Sequence, residues 1–320
     1  MYIHFLPFIC ATLLSALSAP LIKKVGYIYN IIDKPDTRKM NKSPIVRIGG
    51  LSILFGTFAT YLFIGNFNVL SQGFNISFAY PIILTSIIIY IIGFIDDIFN
   101  LSPYPRLVIQ IVIASYVWSS YLSVDVLIVP ILNYQFDLPS IISYLYTVIW
   151  IVGITNAINW LDGLDGLAGG LAFIGLSGLS LIFVYNNQSN LAIYSLCLAG
   201  GILGFLLHNI YPSKIIMGDG GSNLLGFNIS ILSLIAFSET LIQDSSSLTI
   251  GFIPILFLAL PIIDMTYVIL VRVITSRSAF YPDRSHFHYR LLDSGIKPDI
   301  TVLILILIAE LCSIVSLYFY

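Results

Sequence analysis

Apolar runs of about 20 residues, the length that crosses a bilayer as a helix, follow one another along almost the entire chain. They cover roughly 2–22, 48–66, 79–95, 105–122, 140–156, 166–185, 190–208, 222–238, 248–271 and 299–318. The runs are rich in Ile, Leu, Phe and Val without strict alternation, which points to helices rather than a β-barrel. Composition agrees: 58% of residues are hydrophobic and 9% charged, whereas a soluble domain carries about 25% charged residues. The expected fold is therefore all-α, a polytopic membrane protein of about ten transmembrane helices forming a single membrane-embedded domain over 1–320. No basic residue precedes the first run, and Lys23 and Lys24 follow it. That polarity fits a retained span better than a cleavable signal peptide.

With this number of spans the connecting loops fall into two alternating sets. One set contains Lys23, Lys24, Lys34, Arg38, Lys39, Lys42 and Arg47 in its first loop, and Arg272, Arg277, Arg284, Arg290 and Lys297 in its last. Lys214 and Arg106 lie on the same face, which completes the 14 basic residues of the sequence. Basic loops mark the cytoplasmic side, so the N- and C-termini are expected to be periplasmic. Cys10, Cys197 and Cys312 all lie in apolar runs at spacings that fit neither zinc nor a disulfide framework. The outer loop around 124–136 alternates enough to form a short hairpin.

Eleven of the 16 acidic residues lie on or near the basic face, as do His208, His286 and His288. Carboxylates contribute little to topology, so this concentration reads as a functional surface. Asp96 and Asp97 close the third run, and two adjacent carboxylates repel unless a cation or basic group intervenes; Arg106 follows closely. Asn156, Asn159, Asp162 and Asp165 recur in steps of three, which places successive members side by side on a helix. Their hard oxygens suit Mg²⁺, while helix capping accounts for one Asp at most.

Gly218-Asp219-Gly220-Gly221-Ser222 opens the eighth run. A glycine-rich turn at a helix start offers N–H groups to phosphate, and Asp219 beside it suits a phosphate-bridging metal. The last inner loop reads Pro282-Asp283-Arg284-Ser285-His286-Phe287-His288-Tyr289-Arg290. Two His flanked by two Arg make a phosphate clamp, with an interfacial loop held on anionic lipid as the alternative for Arg290. Arg47 before Gly49-Gly50 is an anion-site candidate. Asp264 lies inside the ninth run, where an unpaired acid is costly, and its structural and functional readings are balanced.

Taken together, these motifs resemble those of the polyprenyl-phosphate N-acetylhexosamine-1-phosphate transferases, in kind and in order, from the Arg38 loop to the His286 loop. The resemblance implies transfer of a sugar-1-phosphate from a UDP-N-acetylhexosamine to a polyprenyl phosphate such as undecaprenyl phosphate, releasing UMP, with Mg²⁺ or Mn²⁺ as cofactor. By carry-over, Asp219 is the direct metal ligand, with Asp96, Asp97, Asn159 and Asp162 around the metal and the acceptor phosphate. His286, His288 and Arg284, helped by Arg47, hold the donor diphosphate. The ending His286-Phe287-His288-Tyr289 has Tyr289 where a third histidine is expected, and Asn41 stands where many relatives carry His. Both argue against the muramoyl-pentapeptide branch and for a chain that starts O-antigen, capsule or other surface-glycan assembly. The implied setting is the bacterial inner membrane, among membrane lipids and without nucleic acid; a homodimer is compatible.

An ion-coupled transporter would spread ionisable groups across the midplane, often with a repeat, and here only Asp264 and Glu310 lie clearly inside runs. An intramembrane prenyltransferase would space its aspartates by four, unlike Asp162 and Asp165. The acceptor phosphomonoester, with a second pKa near 6, is already ionised at pH 7. Direct attack on the sugar-proximal phosphate then needs little general-base help, although Asp97 suits either that route or a covalent intermediate.

Overall fold

The computed structural model describes residues 2–34, 43–66, 79–129, 134–243, 253–281 and 283–319. The expected loop residues Asp36, Arg38, Lys39, Asn41 and Lys42, the outer segment 67–78 and Pro282 lie outside the described residues. In chain order the elements are α1 (Tyr2–Ile28), β1 (Ile32–Asp33), β2 (Ile45–Val46), α2 (Gly50–Asn66), α3 (Tyr80–Phe99) and α4 (Pro103–Ser120). There follow β3 (Val126–Val129), β4 (Tyr134–Asp137), α5 (Ser140–Leu161), α6 (Leu167–Tyr185), α7 (Ser189–Asn209) and α8 (Gly218–Gln243). The chain closes with α9 (Ile253–Phe257), α10 (Ala259–Ile274), α11 (Phe287–Asp293) and α12 (Pro298–Phe319).

The protein is all-α, and among the described residues the strands form two small antiparallel pairs, β1 with β2 and β3 with β4. Among the described residues, six helical stretches are long and apolar enough to cross a membrane: Phe5–Ile28, Tyr80–Phe99, Ser140–Leu161, Leu167–Tyr185, Ser189–Asn209 and Pro298–Tyr318. Gly50–Gly65 is a shorter apolar helix. The expected hairpin is present, with Leu127 opposite Phe136. It is tied to α5 by Asp125, whose Oδ1 accepts from the Ser143 hydroxyl at 3.0 Å.

Three boundaries differ from the sequence reading. The third span runs on to Phe99, so Asp96 and Asp97 sit within its last turns rather than beyond its end. The eighth begins at Gly218, so the Gly-Asp-Gly-Gly segment is the first helical turn and not a turn preceding it. The ninth is broken between α9 and α10 at Leu258 (φ −110°, ψ 16°). Pro261, three residues later, has no N–H for the carbonyl of Phe257, and its ring crowds that carbonyl.

The chain divides into two compact units, each built from two stretches. The first unit is 1–101 with 162–225. Within it α7 packs on α1, α2 and α6. A Cβ on Gly200 or Gly204 of α7 would collide with the α1 backbone carbonyls of Phe8 or Thr12. Small residues at a four-residue spacing let helix backbones meet in this way in a membrane. The second unit is 102–161 with 226–320. Within it α4 packs on α5, α5 on α10, and α12 on α9, α10 and α11.

Candidate active site

In the first unit, Val46 to Gly50 lie along the segment before α8. Ile216 N–H donates to the Val46 carbonyl, Gly49 N–H to that of Ile216, and Gly50 N–H to that of Met217, each at 2.9 Å. This short ladder carries Arg47 to the start of α8. Gly218 holds φ +76°, and a Cβ there would collide with the Arg47 carbonyl and the Asp97 carboxylate. Gly93 of α3 serves the same approach from the other side, since a Cβ on it would strike the Asp219 carbonyl. Glycine at these two positions lets α3 and the 47–50 segment close on the first turn of α8.

Asp97 is the hub of this cluster. Its Oδ1 accepts from Asp219 N–H at 2.9 Å and its Oδ2 from Gly220 N–H at 3.1 Å. Arg47 Nη2 lies 2.7 Å from the same Oδ1, and the Asp97 side chain is 1% exposed. Arg47 Nη2 also lies 3.7 Å from Asp219 Oδ2, and Nη1 4.0 Å from Asp33. Two of the first-turn N–H groups that the glycine-rich motif was expected to offer to phosphate, those of Asp219 and Gly220, are thus engaged by Asp97. Burial works against the charge on Arg47, but Asp97, Asp219 and Asp33 outweigh it and hold its pKa above the ordinary guanidinium value.

The adjacent aspartates do different jobs. Successive helical residues point about 100° apart, so Asp96 is turned away from the hub and its Oδ1 accepts from Leu101 N–H at 2.6 Å. Asp165 accepts from Ser213 N–H at 2.9 Å and is not the cap of α6, whose N-cap is Gly166 in the left-handed region. The buried Asn209 braces the same loop, accepting from Gly166 N–H and donating to the Ile215 carbonyl. Asp162 remains beside the hub: burial, with Asp219, Asp97 and Asp165 nearby, pushes its carboxyl up to about 8 against the pull of Arg47. Among the described residues no group of three His, Cys, Asp or Glu side chains is gathered for a metal. The donor chemistry nevertheless fits a divalent cation: hard carboxylate oxygens of Asp162 and Asp219 stand close enough to oppose one another's ionisation, with Asp97 already committed to backbone and Arg47.

The remaining candidates belong to the second unit. Asn156 Nδ2 donates to Gln110 Oε1 at 2.7 Å and to the Val152 carbonyl, so its amide joins α5 to α4. Asn159 and Arg106 are both half-buried, on α5 and α4. Arg272, near the end of α10, is buried and forks onto Asp283 in the loop before α11, with Nε and Nη2 each at 3.1 Å. Despite the cost of burial, the Arg272 and Ser285 hydrogen bonds hold the Asp283 carboxyl well below the usual carboxylate range. The guanidinium lies over the Trp160 ring at 5.1 Å. His286 Nδ1 meets Asp264 Oδ2 at 2.7 Å, which settles Asp264 as a paired acid. Arg284 is on the surface, 2.6 Å from Asp293 and over the Tyr289 ring. A cavity of about 560 Å³ beside α10 and α12 is lined by apolar side chains with Arg290 as its charged member, and holds none of the candidate carboxylates.

His288 is 0% exposed, and neither ring nitrogen has a hydrogen-bond partner among the described residues. Its ring stacks on His286 at 5.4 Å and meets the Tyr289 ring at a tilt at 4.2 Å.

The comparisons decide what this arrangement belongs to. Residues 79–237, which carry both aspartate motifs and Asp219, match the model of Glycosyl transferase family 4. A Bacillus subtilis (strain 168) protein named "Probable undecaprenyl-phosphate N-acetylglucosaminyl 1-phosphate transferase" is 36% identical over 307 residues, covering 96% of this chain and 82% of the relative. The chain belongs to glycosyl transferase family 4. A Mycobacterium leprae decaprenyl-phosphate N-acetylglucosaminephosphotransferase is 31% identical, over 85% of this chain and 73% of its own length. An undecaprenyl-phosphate alpha-N-acetylglucosaminyl 1-phosphate transferase of Haemophilus influenzae is 28% identical, over 98% and 85%. As a member of family 4 the chain is a membrane phosphotransferase, and the resemblance read from the motifs is borne out. The Arg47 and His286 segments lie outside the residues matched by the family, but the alignments with the relatives reach nearly the whole chain.

The His288 environment generates a measurable pH effect. Burial, reinforced by His286, lowers the ring from 6.5 to about 3. Between those values an unfolded chain takes up a proton that the folded ring refuses, so stability falls as pH drops through the window, by up to ~1.4 kcal/mol per pH unit. His288→Phe should therefore unfold at or above the wild-type temperature at pH 7 and show a shallower loss of Tm between pH 6.5 and 4. A lower Tm at pH 7 with an unchanged slope would contradict this environment.

Proposed function

We propose that the chain transfers an N-acetylhexosamine-1-phosphate from a UDP-N-acetylhexosamine to undecaprenyl phosphate or a related polyprenyl phosphate, releasing UMP and starting surface-glycan assembly. The observation that carries this reading is the Asp97 hub, where Arg47, Asp162 and Asp219 gather at the first turn of α8. Three relatives named as N-acetylglucosamine-1-phosphate transferases acting on undecaprenyl or decaprenyl phosphate support it. The reaction joins two phosphate-bearing substrates, so their mutual repulsion is the main barrier that the protein must lower.

Asp219 and Asp162 are the carboxylates that would hold Mg²⁺ or Mn²⁺ in the first unit; the sequence motif also assigns Asn159, three residues ahead of Asp162, to the metal. When bound, such an ion supplies positive charge to phosphate oxygens. Arg47 pairs with Asp97 and faces one oxygen of Asp219. The acceptor phosphate attacks the sugar-proximal phosphorus of the donor: a P–O bond forms to the lipid phosphate, and the P–O bond to UMP breaks. Asp97 is a positioning carboxylate in this scheme. Its oxygens are taken by two backbone N–H groups and a guanidinium, which argues against its acting as the nucleophile. Arg284, His286 and His288 are assigned to the donor side, and the reaction to the cytoplasmic face of the bacterial inner membrane, where the positive-inside pattern puts their loop.

Purified protein incubated with UDP-N-acetylhexosamines, undecaprenyl phosphate and Mg²⁺ should release UMP with at least one donor; folded protein that releases none would refute the assignment. Asp219→Asn should lower turnover at least about a hundredfold while expression and Tm hold, and near-normal turnover would remove Asp219 from the metal. A cysteine placed at Ser285, in a chain without its native cysteines, should resist a membrane-impermeant thiol reagent applied to intact cells. Labelling there would invert the topology.

A further inference from the structure

Asp264 has a role that the motif reading left open. It is 1% exposed, and both of its oxygens are engaged. Oδ1 accepts from Phe287 N–H at 2.7 Å, and Oδ2 lies 2.7 Å from His286 Nδ1. On the other side of the ring, His286 Nε2 faces Arg272 Nη2 at 3.5 Å. A neutral imidazole has one N–H and one bare nitrogen. Arg272 has only N–H groups to offer, so the nitrogen that faces it must be the bare one. The proton is thereby placed on Nδ1, where the Asp264 carboxylate receives it. A protonated Asp264 with a bare Nδ1 would put Nε2–H against the guanidinium, donor against donor, and an imidazolium would do the same.

Arg272 cannot turn away to relieve such a clash. Its Nε and Nη2 are forked on Asp283, Nη1 donates to the Ala279 carbonyl at 2.5 Å, and its face lies on Trp160. Asp283 in turn accepts from the N–H and hydroxyl of Ser285. A continuous chain of partners therefore runs from Asp264 through His286 and Arg272 to Asp283 and back to Ser285.

We propose that Asp264 is a positioning residue: it holds His286 in the Nδ1–H tautomer, and through that ring and Arg272 it sets the 283–288 loop in the form that receives the donor diphosphate. The loop's place in donor binding rests on the proposed function; the tautomer does not. Asp264 itself touches neither substrate nor metal.

Asp264→Asn separates this role from a structural one. The Asn carbonyl still accepts from Phe287 N–H, so the anchor of α11 survives. Its NH₂ now faces Nδ1, which forces the proton to Nε2. The sequence has four histidines, few enough for ¹⁵N-histidine NMR, with the His286 signals assigned by their loss in His286→Gln. In the native protein Nδ1 should be pyrrole-like and Nε2 pyridine-like, and Asp264→Asn should reverse them. The KM for the UDP-sugar should then rise at least tenfold while that for polyprenyl phosphate stays within about twofold. Asp264→Glu, which keeps a carboxylate, should retain the native tautomer and recover most of the donor KM. A native ring protonated on Nε2 overturns the proposal whether or not Asp264→Asn folds. So does a reversed tautomer with an unchanged donor KM. If no donor is turned over by the native protein, the functional reading fails while the NMR still decides the tautomer.

Discussion

A single buried carboxylate organises the first unit. Asp97 takes the N–H groups of Asp219 and Gly220 and the guanidinium of Arg47 within 3.1 Å. Charge-assisted hydrogen bonds of this kind are roughly twice as strong as neutral ones, and leaving a buried charge without its partner costs about 3–5 kcal/mol. The three contacts fix α3, the 46–50 segment and the first turn of α8 against one another. The close backbone approaches at Gly93 and Gly218 are the steric conditions under which those contacts form. The direction of Asp219, and with it the charge balance around Asp162, follows from that arrangement.

The second unit uses the same physics with different groups. Arg272 and Asp264 are both nearly inaccessible, and each is satisfied by partners from the loop between α10 and α11. Ionisable groups inside an apolar helix are tolerated when every donor and acceptor has a partner. The consequence is a loop whose shape is dictated by charge: the Arg272–Asp283 fork closes one end, and the Asp264 contacts to His286 and Phe287 close the other. Arg284 pairs with Asp293 on the surface.

Much of the fold was legible because it depends on local pattern. Apolar length marked the helices, alternation marked the 126–137 hairpin, and grouped motifs marked the family. The site was legible as a set of residues but not as a set of roles. Nothing in Asp96-Asp97 says that Asp96 will accept from Leu101 N–H just past its own helix while Asp97 holds the first turn of a different one. The Gly-Asp-Gly-Gly segment signals a helix start, yet which acceptor takes its N–H groups depends on how α3 docks. Asn156 looked like a ligand because its periodicity matched Asn159 and Asp162, whereas its partner Gln110 lies 46 positions away with no motif to flag it. Asn209 and Arg272 were missed for the same reason: each acts through a contact that only tertiary packing creates. Pro261 is a visible signal for the broken ninth span, one that apolar length alone does not register.

If Asp97 positions and does not react, as proposed, phosphoryl transfer proceeds by direct attack of the lipid phosphate. The most direct measurement mixes purified enzyme and Mg²⁺ with a UDP-N-acetylhexosamine labelled in its sugar-proximal phosphate, without acceptor, and follows both UMP and label. Direct attack predicts no stoichiometric UMP and no label on protein until polyprenyl phosphate is added, when the label passes into the lipid fraction as UMP appears. A burst of one UMP per enzyme before acceptor is added, with the label retained on the protein, would contradict it.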